Sequence, residues 1–183
     1  SVLPNVTADA IRGLISNLEK FGMDFDHKEK VIQSCRRKSA QLLNCQPEEI
    51  AFVDNTAQGI NLVANGIRWK EGDVVISCEA EYPDNHYPWK YLERKGVQTR
   101  MVPMKDGQIL VDDIVNAIDD RTRLVALSFV QFLNGFRLDA EKIGSLCRER
   151  GIYFFLDAIQ GLGSIDLNLQ QVPVDFLAAG GHK

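Results

Sequence analysis

Apolar residues recur at helical spacing in the first quarter of the chain, at Ile11, Leu14, Ile15 and Leu18 and again at Val31, Ile32, Cys35 and Leu42. Side chains three and four positions apart share one face of a helix. The pattern therefore predicts helices over residues 7–43, broken near 22–27. The spacing then changes: short runs rich in β-branched and aromatic residues, at 50–53, 74–77, 97–102, 124–130 and 152–156, read as strands. Helical stretches at 57–65, 85–95, 111–118 and 140–150 lie between them. Strands alternating with helices predict a mostly parallel sheet covered on both faces, a three-layer α/β/α sandwich. Residues 1–45 read as lead-in helices and 46–183 as a large α/β domain.

Composition narrows the function. With 183 residues, 45% hydrophobic and 25% charged, the chain has the makings of an ordinary packed domain. A net charge of −4 argues against nucleic-acid or membrane-surface partners, which need a basic face, and favours a small-molecule ligand. Cys35, Cys45, Cys78 and Cys147 are scattered, with no CxxC or Cys/His pairing. No metal site or disulfide framework is expected, and reduced thiols suit a cytoplasmic protein. No apolar run approaches the roughly 20 residues of a membrane helix. The ends read as abrupt, with no closing element after Lys183, and a fragment is expected.

In open α/β sheets, ligands collect beyond the carboxyl ends of the strands. Three post-strand loops and the chain's last run carry the candidate chemistry. Thr56 opens the 57–65 helix at a position where a cap belongs. Its hydroxyl and the first free amides of the helix would seat a phosphate; an ordinary N-cap would look the same. Tyr82 lies in an aromatic- and proline-rich stretch, 79–89, where a ring could stack on a flat ligand or simply pack a helix on the sheet. Asp157 ends an apolar strand, and a buried carboxylate needs a partner: a helix N-terminus, or a cationic group such as a protonated ring nitrogen. Gln160 follows three residues on. The run 174–183 ends Gly180-Gly181-His182-Lys183, where glycines permit close backbone approach and a desolvated lysine becomes a nucleophilic amine; a solvated surface charge is the ordinary alternative for any single lysine. Phosphate seat, stacking aromatic, ring-nitrogen carboxylate and imine-forming lysine are together the groups that pyridoxal 5'-phosphate requires.

These motifs resemble the class V aminotransferase family of fold-type I pyridoxal-phosphate enzymes, which includes cysteine desulfurases, selenocysteine lyases, kynureninases and isopenicillin-N epimerases. The resemblance runs over almost the whole chain. It implies that Thr56 and the Ala57 amide contact the phosphate and that Tyr82 stacks on the ring. It further implies that Asp157 holds the pyridinium nitrogen, Gln160 the ring oxygen and His182 the phosphate, with Lys183 forming the internal aldimine. Four positions depart from the desulfurase pattern as the resemblance gives it: Ala57 stands where a second Thr is frequent, Tyr82 for His, Phe132 for Asn, and Gly180 for Ser. A homodimer, and a small C-terminal domain lying beyond this chain, are implied in the same way.

Three functions follow as expectations: a cysteine-desulfurase-like lyase or transferase acting on an amino acid; a class V aminotransferase or epimerase; or, from a different class, a non-catalytic α/β module that binds a phosphate ligand through the Thr56 turn alone.

Overall fold

The computed structural model describes residues 4–22 and 24–182. It divides into two compact units, one reaching to Ala51 and including His182, the other Phe52–Gly181.

The first unit carries α1 (Asn5–Phe21) and α2 (Phe25–Leu43). Asp24 caps α2, its side chain accepting the His27 amide at 3.0 Å. Asn44, at φ 54°, closes the same helix in the left-handed region that a short polar side chain tolerates. Arg36 then donates to the carbonyl of Ile50. The break between the helices and their extents match the periodicity.

The second unit is built on five strands: β1 (Val74–Cys78), β2 (Gln98–Val102), β3 (Thr122–Ser128), β4 (Tyr153–Asp157) and β5 (Phe176–Ala178). Their order is β2-β1-β3-β4-β5, and every pairing among them is parallel. The helices are α3 (Thr56–Gly66), α4 (Tyr87–Tyr91), α5 (Val111–Ala117) and α6 (Ala140–Glu149).

Successive strand residues point to opposite faces. Val75, Leu124, Ala126 and Phe155 join Ile60, Ala64, Trp89 and Leu92 in one core cluster beneath α3 and α4. That leaves Ile76, Val125, Phe154 and Leu156, all fully buried, for the opposite face, where α6 packs on β4. Strands buried on both sides account for the continuous apolar runs that marked them in the sequence.

Two expectations fail. Residues 50–53 form no strand: none of the five strands pairs with them, and an apolar tetrad outside a sheet ladder remains a linker. The expected 85–95 helix is three short pieces, a 3-10 turn Pro83–Asn85, α4, and a second 3-10 turn Leu92–Lys95. Pro83 and Pro88 lack the N–H that a continuous ladder would need there.

Candidate active site

The carboxyl ends of β1, β3 and β4, with the start of α3, gather the candidate residues. Asn55, not Thr56, caps α3: its side chain accepts the Gln58 amide at 2.8 Å. Thr56 is the first helical residue, and this corrects the cap assignment. The correction enlarges its chemical role, because the Thr56 hydroxyl is buried and has no hydrogen-bond partner among the described residues. A buried hydroxyl without a partner costs about 1–3 kcal/mol. Here it sits at the positive end of an eleven-residue helix, where an anion would satisfy it. Ala57, half-buried, follows in the first turn.

Asp157 is 2% exposed at the end of β4 and accepts the Ile159 amide at 3.0 Å. The expected alternative, that it caps a following helix, is excluded: residues 159–161 form a turn, which holds the half-buried Gln160. Gly161 in the same turn lies so close to Phe129 that a Cβ there would come within 2.5 Å of its ring. In the sheet register Asp157 pairs with Ser128 on one side and Ala178 on the other. Gly59 of α3 approaches Ala178 closely enough that a Cβ would touch it at 3.4 Å, so the helix beginning at Thr56 lies over this same edge.

The aromatic segment divides between its two readings. Trp89 is fully buried and meets Phe155 edge to face at 5.5 Å, packing α4 on the sheet. Tyr82 stays 45% exposed, and its ring stands edge-on to Phe132 at 5.1 Å. Two positions that depart from the desulfurase pattern are thus in contact with each other.

Glu81, which the sequence reading passed over, is a second buried carboxylate of the site. It is 7% exposed and accepts from the Ser128 amide at 2.8 Å, the Ser128 hydroxyl, Gln131 Nε2 at 2.8 Å and Asn85 Nδ2 at 3.0 Å. Burial pushes its carboxyl above the ordinary carboxylate range, against these four bonds, which favour the charged form. The available signal was the same one used for Asp157, an acid just past an apolar strand. Glu79 offers that signal equally, and only the fold separates the two.

Of the remaining candidates, His182 is exposed and belongs to the first compact unit, and Lys183 lies outside the described residues. The buried thiols are poor nucleophiles: burial pushes Cys78 up to about 11 and Cys147 up to about 12.

A family model described as Aminotransferase class-V matches residues 12–183. The chain belongs to the class-V aminotransferase family. Among relatives of this class-V chain, a probable cysteine desulfurase from Methanothermobacter thermautotrophicus is 33% identical over 153 residues, covering 83% of this chain and 38% of that protein. The cysteine desulfurase IscS of Shewanella denitrificans is 32% identical over 187 residues, covering 100% of this chain and 46% of the relative. The class-V chain thus spans less than half the length of these curated relatives. Among solved structures, the cystine C-S lyase C-DES bound to its product cysteine persulfide superposes with a TM-score of 0.92 at 26% identity, over 100% of this chain and 51% of that one. A C-DES variant with glycine covalently linked to its PLP cofactor gives 0.91 at 26% identity, over 99% and 50%.

Proposed function

We propose that this chain is the cofactor-holding part of a pyridoxal-phosphate enzyme that cleaves the carbon–sulfur bond of an amino acid, in the manner of a cysteine desulfurase. The observation that carries the reading is the buried, unpartnered Thr56 hydroxyl at the start of α3, at the same end of the sheet as the buried Asp157 carboxylate. An anion on a ligand would satisfy the Thr56 hydroxyl, and a cationic ring nitrogen on the same ligand would suit the Asp157 carboxylate. The matched relatives, cysteine desulfurases and a cystine lyase, favour sulfur chemistry over transamination, epimerisation or binding without catalysis.

In this reading Thr56 Oγ1 and the Ala57 amide donate to the phosphate, with the dipole of α3 adding to the attraction. Asp157 holds a proton on the ring nitrogen, Gln160 donates to the ring oxygen, and Tyr82 covers the ring face. His182 assists at the phosphate. When bound, pyridoxal phosphate supplies an electron sink for charge developing at the substrate's Cα. The Lys183 amine would anchor the cofactor and would serve as the base for the substrate's Cα proton. Residues 1–45 and 46–183 act as lead-in helices and large domain of a cytoplasmic homodimer, a reading supported by four free thiols and by the apolar side chains that α1 exposes.

One observation favours a second reading within the same chemistry. Neither Tyr82 nor Phe132 offers a basic nitrogen of the kind a histidine would bring to protonate a departing sulfur. A substrate whose sulfur departs without being protonated, such as a disulfide amino acid, suits it. The two readings differ in product: elimination yields pyruvate, desulfuration yields alanine.

The test is borohydride reduction of the full-length protein after addition of the cofactor. The parent is expected to fix the cofactor to the peptide that contains Lys183, and Lys183→Ala to fix none there. A Lys183→Ala protein that still forms a reducible adduct at this site would overturn the reading.

A further inference from the structure

We propose that Glu81 is a positioning residue, which locks the Tyr82–Phe132 aromatic pair into a fixed orientation over the cofactor ring. The inference rests on the cofactor reading above, and goes beyond it by giving a role to a carboxylate that binds no ligand itself.

Two consecutive residues on each of two loops make the contact. Glu81 is joined to Gln131 at 2.8 Å, and their chain neighbours Tyr82 and Phe132 meet edge to face at 5.1 Å. The polar half of this contact is buried, with Glu81 7% and Gln131 1% exposed, while the aromatic half opens to solvent at 45% and 44%. An exposed edge-to-face pair contributes little beyond its burial. Alone that is too little to hold two loop side chains in one geometry against their rotamer entropy. The buried half supplies the constraint.

Glu81 fastens three elements at once. It binds both the amide and the hydroxyl of Ser128 at the end of β3, where Ser128 pairs in register with Asp157. Through Asn85 Nδ2 at 3.0 Å it reaches Trp89, whose indole N–H donates to Asn85 Oδ1 at 2.9 Å and whose ring packs on Phe155. The base of the aromatic pair is thereby tied to the sheet core and to the strand pair that carries Asp157. The same Glu81 oxygen that faces the Ser128 hydroxyl also accepts from Asn85 Nδ2, and Asn85 is held in that orientation by Trp89. The hydroxyl can turn to accept, but an amide nitrogen here would set donor against donor at Asn85. Glutamine is therefore a disruptive substitution despite its matching shape.

The experiment uses the full-length, cofactor-loaded protein and reads the visible circular dichroism that a bound ring acquires from its asymmetric surroundings. Glu81→Gln is expected to lose most of that signal, and Gln131→Met, which breaks the same inter-loop bond from the other side, to lose it in the same direction. If the effect runs through the aromatic pair, neither substitution changes the signal further in a Tyr82→Ala background, the non-additivity expected of coupled residues. A parental spectrum in both variants, or a loss that simply adds to that of Tyr82→Ala, would refute the positioning role. Should Glu81→Gln fail to fold, Gln131→Met decides alone. A parent protein that takes up no cofactor fails at an earlier step: it overturns the function reading, and this proposal falls with it.

Discussion

Thr56 shows how a correct choice of residue can hide a wrong reason. The sequence pointed to it as a helix cap, because Thr before an apolar periodic stretch is a cap signature. Asn55 takes that role, and the displaced Thr56 hydroxyl is left buried without a partner. Two opposite effects are expected from Thr56→Val, which keeps the shape and removes the oxygen. Stability of the cofactor-free protein should hold or rise, since a buried unsatisfied group is lost. Cofactor affinity should fall about 10- to 150-fold, the equivalent of one hydrogen bond to a charged group, about 1.5–3 kcal/mol. Thermal unfolding and a cofactor titration read the two separately, and equal affinity in the variant would remove Thr56 from the phosphate seat. Asp157 was legible because a carboxylate closing an apolar strand is costly unless satisfied. Glu81 obeys the same rule yet escaped notice, since Glu79 two residues earlier competes for it and the loop has no alternation to choose between them.

Helices and strands with a clear period fell where the pattern put them, α3 as Thr56–Gly66 and β4 as Tyr153–Asp157. The errors lie where an element depends on a neighbour. Residues 50–53 have the composition of a strand and pair with none of the five strands, while the three-residue β5 pairs with β4 and has too little length to be read as a strand from sequence. Packing of α6 is similarly invisible in the pattern. Gly144 sits mid-helix, where propensity alone favours alanine by about 1 kcal/mol. A Cβ there would lie 2.2 Å from the Pro173 carbonyl oxygen, and that oxygen is backbone and cannot swing aside. Overpacking costs about 1–3 kcal/mol, so Gly144→Ala should destabilise. Urea denaturation should show a lower midpoint at unchanged slope; a higher midpoint would mean that the 173 segment moves freely.

For the molecule as a whole, the homodimer reading makes a direct prediction. Sedimentation of the full-length protein should give twice the chain mass, and a fully active monomer would refute it. The sequence by itself determined the class of fold, the run of most elements and the residue types at the end of the sheet. These follow from local periodicity and from the cost of placing a charge beside apolar residues, and neither requires knowing what lies across the core. Only the tertiary structure decided the order β2-β1-β3-β4-β5, the pairing of Ser128 with Asp157, and the burial of Glu81. The Ser128 amide that binds Glu81 lies 47 residues along the chain from it. Whether a carboxylate is buried and bonded, or solvated and idle, depends on such distant partners, and no local pattern encodes them.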